Sequence, residues 1–90
     1  MEGLWRRFDR IVVFDTETTG IEPGKDRIIE LGAVSLEAGA ETGSLDALVR
    51  LPEGVRLSPF IVELTGITDE QLLAEGVDQR EAAEDFCRLL

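Results

Sequence analysis

Two acidic side chains follow directly on the most apolar stretch of this chain, and their position constrains both fold and chemistry. The stretch Ile11–Phe14 is a continuous apolar run with β-branched residues, which is typical of a buried central β-strand. Asp15 and Glu17 come next and lie two residues apart, so a continuing strand projects both carboxylates from one face. Carboxylates next to a low-dielectric core repel each other, and a divalent cation offsets that repulsion. The strand is therefore predicted to end in a metal site.

The ligand type narrows the choice of metal. Hard carboxylate oxygens favour Mg²⁺ or Mn²⁺ over zinc. Two such ions, about 3.5–4 Å apart, can clamp the attacking water and the leaving oxygen of a phosphodiester. The Asp-x-Glu spacing by itself is equally typical of an exposed strand end that happens to be acidic. The longer string around Asp15 and Glu17 carries more information than the spacing.

The remaining pattern predicts one small α/β domain in which strands precede helices. Short connections favour an antiparallel meander over strand–helix–strand crossovers. The predicted segments are a lead-in over 1–9, a three-strand meander over 10–51 and a helical segment over 58–90. After the first strand, the predicted order is a turn over 20–26, a strand over 27–36, a small-residue connection over 39–43 and a strand over 45–51.

Capping signals define the helical segment. Ser58 is an N-cap followed by proline, and Gly66 closes that short helix. Thr68 to Gln71 has capping-box spacing, and Gly76 ends the second helix.

A third helix opens at Asp78, with Glu81 at capping-box spacing. Its predicted apolar face, which should pack on the sheet, consists of Ala83, Phe86, Cys87 and Leu90. The chain stops inside this helix, so we expect a truncated domain.

Composition excludes several classes of protein. The net charge of −10 argues against a basic groove for nucleic acid, although metal ions can neutralise a local acidic field. No run of about 18 apolar residues and no signal peptide is present, so we expect a cytoplasmic protein without membrane contact. Cys87 is the only cysteine, which excludes an internal disulfide and a cysteine metal cluster.

Three strings, in order, resemble motifs of the DnaQ-like 3′-5′ exonucleases of the DEDD superfamily, the group that includes the proofreading subunit of bacterial DNA polymerase III. Phe14–Gly20 (FDTETTG) is similar to the first exonuclease motif, Arg27–Val34 (RIIELGAV) to the second strand, and Leu64–Glu70 (LTGITDE) to the helical segment beside the 3′-terminal nucleotide. The resemblance covers residues 11–73 and implies a ribonuclease-H-like fold.

The resemblance implies roles for the matched positions. Asp15 and Glu17 become catalytic residues and the first two acidic ligands of a metal pair. The implied substrate-binding residues are Thr16, Thr18, Leu64 and Thr65. Leu64 is equally compatible with a core leucine, whereas Thr65 fits a residue near a helix end better than a substrate contact. Glu30 interrupts an apolar strand and is expected to be a satisfied buried or edge carboxylate.

The chain also departs from the family pattern. The family uses two further aspartates and a histidine or tyrosine that helps activate water, but this chain has neither histidine nor tyrosine. The other aspartates are predicted to occupy turns, caps or an exposed helical face; they are Asp9, Asp26, Asp46, Asp69, Asp78 and Asp85. We therefore expect an N-terminal piece of an exonuclease domain that is inactive alone.

Other functions are weighed against this one. A haloacid-dehalogenase-type phosphatase also has an acidic pair after its first strand, but its second acid is aspartate and its next element is a helix. Gly20–Lys25 is one residue short of a phosphate-binding loop and precedes a strand. A non-catalytic interaction module remains open for the isolated chain.

Within the family, the motif form favours a DNA-proofreading relative that acts on a single-stranded DNA 3′ end. An RNA-trimming enzyme and an association with a polymerase or helicase also remain open.

Overall fold

A computed structural model describes residues 7–20 and 24–90 of the chain. The described chain forms a three-stranded antiparallel sheet in the order β1-β2-β3, followed by three helices. The strands are β1 (Arg10–Thr18), β2 (Ile28–Glu37) and β3 (Ala40–Leu48). The helices are α1 (Pro59–Thr65), α2 (Asp69–Glu75) and α3 (Gln79–Leu89). Most of the predicted lead-in and the middle of the predicted 20–26 turn lie outside the described residues.

The strand register divides the side chains between two faces of the sheet. The open face carries Val13, Asp15, Glu17, Glu30, Val34, Ser44, Asp46 and Leu48. The covered face carries Phe14, Ile29, Ala33, Ser35, Ala47 and Val49. Because the chemistry-bearing side chains share the first face, the fold separates the acidic groups from the core.

The core lies on the covered face. Ile29 is completely buried and packs in a cluster with residues from α1, α2 and their flanking loops; these are Leu57, Ile61, Ile67 and Leu72. A second cluster joins Ala47 and Val49 to Ala82 of α3. The small Ala82 lets α3 approach β3 closely, which explains how a short helix covers this part of the sheet.

The helix ends confirm the predicted caps. The Ser58 hydroxyl accepts a hydrogen bond from the Ile61 N–H at 3.2 Å, and Gly66 ends α1 in the left-handed conformation with φ 76°. The Thr68 hydroxyl accepts from the Gln71 N–H at 3.1 Å. The Asp78 carboxylate accepts from the Arg80 N–H at 3.4 Å, as an N-cap does.

Gly76 ends α2 as predicted, but by close packing. A Cβ atom at this position lies 2.3 Å from the Leu72 carbonyl oxygen. Only glycine therefore fits at this end of the helix.

The predicted apolar face of α3 was wrong by about one residue. Ala83, Cys87 and Leu90 are exposed, and Cys87 is a free thiol. The helix instead turns Ala82 and Phe86 inward, with Leu89 half-buried. Apolar side chains occur on both sides of this helix, so only contacts with the sheet select the buried side. Phe86, which the prediction placed correctly, meets Phe14 of β1 edge to face at a ring-centroid distance of 5.4 Å.

Arg10 ties β1 to the end of α3. Its Nε donates to the Ser35 hydroxyl at 2.8 Å, and its Nη1 and Nη2 donate to the carbonyl oxygens of Leu90 and Leu89. A cation at a helix C-terminus also interacts favourably with the helix dipole. Ser35, which is fully buried, is thereby satisfied.

The prediction of a buried central strand at Ile11–Phe14 was also wrong. Within the described chain β1 is an edge strand, and Val13 and Phe14 are 55% and 60% exposed. The run of apolar residues correctly indicates a strand. Burial also requires other elements beside that strand, and within the described chain β1 pairs with a strand on one side only.

The connection between β2 and β3 is shorter than the predicted 39–43. Ala38 and Gly39 form a two-residue turn with φ values of 51° and 86°, so β3 begins at Ala40 and ends at Leu48. Val49 follows as an isolated bridge to Val77.

Candidate active site

Asp15 and Glu17 lie on the open face as the two-residue spacing predicts. Asp15 is opposite Gly32 of β2, and Glu17 is opposite Glu30. Asp15 is exposed, and its Oδ1 accepts a hydrogen bond from the Thr16 N–H at 2.9 Å. Glu17 is half-buried. The strand therefore presents two carboxylates side by side, with the small Gly32 leaving room beside Asp15.

Two more carboxylates, those of Glu30 and Asp46, lie on the same face of the sheet. Together with Asp15 and Glu17 they form what we call the acidic surface. Glu30 on β2 and Asp46 on β3 are hydrogen-bonded through their side chains. This bond raises the pKa of Glu30, and burial and the negative charges of Asp46, Glu17 and Asp15 raise that pKa further. The raised pKa shifts the balance between the charged and the protonated form of Glu30 toward the protonated form.

The prediction that Glu30 is satisfied holds, but its partner is another acid. The prediction for Asp46 was wrong, because Asp46 lies inside β3 rather than in a turn, cap or helix. The alternation of Asp46 with the apolar Leu45 and Ala47 indicates that its side chain lies on the opposite face of the sheet from theirs. Its position beside Glu30 follows only from the strand register, which the sequence leaves undetermined.

The acidic surface does not form a closed metal site by itself. Among residues 7–20 and 24–90, no three acidic or cysteine side chains converge closely enough to hold a metal ion. Asp15 and Glu17 are two oxygen donors on one face, so they fit a divalent ion and would supply part of the six oxygen ligands that Mg²⁺ requires. Glu30 and Asp46 engage each other, so their oxygens are less available.

The predicted substrate-binding threonines occupy different places. By strand alternation the Thr16 side chain lies on the covered face, so only its backbone N–H is beside the acidic pair. The Thr18 hydroxyl donates to the Gly20 carbonyl oxygen at 2.7 Å. The structure thus brings Thr18 to the end of the acidic strand and directs the Thr16 side chain away from it.

Leu64 and Thr65 lie at the C-terminal end of α1. Leu64 is 67% exposed, so its interpretation as a core leucine was wrong. The Thr65 hydroxyl donates to the Ile61 carbonyl oxygen at 2.8 Å and accepts from the Ile67 N–H at 3.1 Å, which matches a residue near a helix end. Thr65 also lines a surface depression that reaches Glu30 and Asp46. The helix end and the acidic surface are therefore neighbours.

Comparison with known proteins places this geometry in a family. A family model named for RNase T and described as "Exonuclease" matches residues 12–90. The PolC-type DNA polymerase III of Bacillus subtilis (strain 168) is 41% identical over 75 residues, which cover 83% of this chain and 5% of that protein. The PolC-type DNA polymerase III of Bacillus cereus is 43% identical over 69 residues, covering 76% of this chain and 5% of that protein. The chain thus spans about a twentieth of the length of these relatives.

Solved structures share the same fold. Escherichia coli exonuclease I in complex with a dT13 oligonucleotide superposes with a TM-score of 0.78 at 23% identity, covering 91% of this chain and 18% of that one. A full-length 3′-exonuclease superposes with a TM-score of 0.75 at 27% identity, covering 91% of this chain and 29% of that one. The meander and helices therefore form the ribonuclease-H-like fold that the resemblance implied.

The exonuclease family model and the similar solved structures agree on the class of protein, a domain of the exonuclease family. The chain belongs to the exonuclease family and, within it, is DnaQ-like and of the 3′-5′ type. No helix in the described part of the chain is long and apolar enough to cross a membrane.

Proposed function

We propose that this chain supplies the first half of the active site of a metal-dependent 3′-5′ exonuclease acting on DNA, in proofreading or repair. The observation that carries the proposal is the placement of Asp15 and Glu17 side by side on the open face of an exonuclease-family sheet. In this proposal the two carboxylates are metal ligands, and Mg²⁺ or Mn²⁺ supplies the charge that activates water and stabilises the leaving oxygen.

The neighbouring surface suits a nucleotide at the 3′ end of a strand. Exposed Leu64 can contact a base. Thr65, in the depression that reaches Glu30 and Asp46, and Thr18, at the end of β1, are candidate groups for the sugar and phosphate. Thr16 contributes its backbone rather than its side chain. The PolC-type relatives are DNA polymerases, and the similar exonuclease I structure holds a deoxythymidine oligonucleotide, which supports DNA over RNA.

The isolated 90-residue chain is proposed to be inactive. It contains no histidine or tyrosine to serve as the general base, and two carboxylates bind Mg²⁺ weakly because this ion loses its water reluctantly. Incubation with 3′-labelled single-stranded DNA and Mn²⁺ tests this directly. Trimming that disappears in Asp15→Ala contradicts the proposed inactivity.

A chimera tests the proposed roles of the acidic pair. Residues 12–90 replace the matching segment of the Bacillus subtilis PolC-type DNA polymerase III, to which this chain is 41% identical over 75 residues. We expect 3′-end trimming by the chimera. Asp15→Asn and Glu17→Gln should each lower the rate by at least about 100-fold, since even outer-shell partners of metal ligands contribute about 10–100-fold.

Glu41→Gln, an exposed change at the start of β3, is the matched control and should retain activity. An active chimera whose rate is unchanged by both substitutions in the acidic pair rules out the proposed roles.

A second candidate is favoured by the exposed apolar side chains. Phe60, Leu64 and Leu73 are each at least two-thirds exposed, as expected of a surface that binds a partner. Circular dichroism with sedimentation tests this interaction module. A folded monomer with no self-association removes the self-binding form of this alternative, whereas a defined assembly supports it.

A further inference from the structure

We propose that Asp26 is a positioning residue for the acidic end of β1 and acts through Thr19. This inference deepens the proposed function and rests on it, because it assigns Asp26 the task of holding the segment that follows Glu17. Asp26 lies eleven residues beyond Asp15 and belongs to none of the three strings that carry the family resemblance.

Thr19 bridges the two arms of the connection between β1 and β2. Its hydroxyl donates to Asp26 Oδ1 at 2.9 Å and accepts from the Arg27 N–H at 2.9 Å. Its backbone N–H donates to the Arg27 carbonyl oxygen, also at 2.9 Å. Both the hydroxyl and the backbone N–H of Thr19 are therefore hydrogen-bonded to Asp26 or Arg27.

Gly20 shows how closely the Asp26 carboxylate approaches β1. A Cβ atom built at Gly20 lies 2.5 Å from Asp26 Oδ2 and 2.8 Å from Cγ. A side chain at position 20 would therefore displace the Asp26 carboxylate. The Gly20 carbonyl oxygen in turn accepts from the Thr18 hydroxyl at 2.7 Å, so the same contact region extends back to a proposed substrate-binding residue.

These hydrogen bonds lie where the regular backbone pairing between β1 and β2 is interrupted. Glu17 is paired with Glu30, but Thr18 is paired with Ile28, so the register shifts directly after the proposed metal ligand. A break of this kind leaves the backbone locally less constrained. The Asp26 hydrogen bond fixes the residue that follows Thr18, and thereby limits how far Glu17 can shift. Metal ligands depend on partners of this kind for their orientation.

Five variants of the 90-residue chain separate positioning from charge and from general stability. Asp26→Ala removes both the charge and the acceptor, whereas Asp26→Asn removes the charge and keeps an acceptor oxygen. Thr19→Val removes the bridging hydroxyl without changing charge, and Thr19→Ser restores it. Thr42→Val is the remote control, since it removes hydrogen bonds to Ser35 at the far end of the sheet.

Two readouts by NMR are compared for each variant. One is hydrogen exchange of the Thr18, Thr19 and Arg27 amides without metal, and the other is the Mn²⁺ concentration that broadens the amides of Asp15 to Thr18. We expect Asp26→Ala and Thr19→Val to speed exchange at Thr19 about fivefold, which corresponds to the loss of one hydrogen bond. We expect the same two variants to weaken Mn²⁺ binding about tenfold.

Asp26→Asn and Thr19→Ser should stay within about twofold of the parent chain in both readouts, because each keeps the bridging bond. Thr42→Val should lower the melting temperature without moving either readout. The inference is overturned if Thr19→Val leaves both readouts unchanged, or if Asp26→Asn is as impaired as Asp26→Ala, which assigns the effect to charge. If circular dichroism shows that Asp26→Ala does not fold, the comparison of Thr19→Val with Thr19→Ser tests the inference instead.

The two proposals fail in different ways. A parent chain that shows no Mn²⁺ broadening at β1 contradicts the proposed metal site and leaves amide exchange to judge Asp26. In that case faster exchange at Thr18 and Thr19 in Thr19→Val, reversed in Thr19→Ser, supports the positioning role. Normal exchange in Thr19→Val contradicts it.

Discussion

The two faces of the sheet solve opposite problems. On the covered face, Ile29, Ala33 and Ser35 are buried, and the Ser35 hydroxyl accepts a hydrogen bond from Arg10. On the open face, carboxylates from all three strands lie near one another. The first arrangement lowers the free energy of folding, and the second raises it.

This difference indicates that the chain loses stability on the open face, which carries the proposed site. Like charges directly opposite one another on a sheet are destabilising, as Glu17 and Glu30 are here. The hydrogen bond with Asp46, burial and the nearby negative charges raise the pKa of Glu30, so this repulsion weakens as the pH falls. The core on the other face must therefore carry most of the stability, and substitutions on the two faces should differ in size and even in sign.

The largest expected effect compares neighbouring isoleucines of opposite orientation. Ile29→Ala empties a fully buried site and should lower the free energy of unfolding by about 3 kcal/mol. Ile28→Ala, at a residue that is 39% exposed, should cost less than about 1.5 kcal/mol because little of its surface is removed from water. Urea denaturation of both variants measures the contrast, and equal losses argue against a one-sided core.

A smaller effect is expected at the junction between β1 and α3. Arg10→Ala removes the bond to Ser35 and the two bonds to the end of α3, and should cost about 1–2 kcal/mol. Arg80→Ala is the control, because its exposed ion pair with Glu84 contributes only about 0.3–0.5 kcal/mol. Thermal unfolding followed by circular dichroism reports both values. An Arg10 variant no weaker than the Arg80 variant contradicts the assigned role.

The smallest effect has the opposite sign and depends on pH. The pKa of Glu30 is raised above its ordinary value of 4.5, so its protonated form favours the folded state. That contribution is fully present below pH 4.5 and is lost as pH rises through the folded-state pKa. Glu30→Gln mimics the protonated form. It should stabilise the chain at pH 7 by about 0.5 kcal/mol after solvent screening, and have little effect at pH 4.

Melting temperatures at the two pH values test this, with Glu41→Gln as an exposed control. The expected rise at pH 7 is about 2–4 °C for a chain of this size. A Glu30→Gln variant that is less stable than the parent at pH 7 contradicts the interpretation of the acidic surface.

Features set by a few adjacent residues could be predicted from the sequence. The caps at Ser58 and Thr68 and the ends at Gly66 and Gly76 follow from local hydrogen bonds and backbone angles, and all of them were found. The same holds for the shared face of Asp15 and Glu17, which needs only strand alternation. The family motifs gave the fold class.

Features set by distant residues could not be predicted in the same way. Burial of Phe14 depends on what lies beside β1, and the inward side of α3 depends on contacts of Ala82 and Phe86 with the sheet. The place of Asp46 next to Glu30 depends on the register between β2 and β3, which begins from the short turn at Ala38. Each of these errors is an error of tertiary context rather than of propensity.

The central claim is that the open face binds a divalent cation at Asp15 and Glu17. Titration of the ¹⁵N-labelled chain with Mn²⁺ tests it most directly, because paramagnetic broadening falls off steeply with distance. We expect the earliest loss of signal at Asp15 to Thr18 and across the strand at Glu30 to Gly32, with α3 unaffected, and no such pattern in Asp15→Asn. Broadening centred on another acidic region, or unchanged in Asp15→Asn, contradicts the claim.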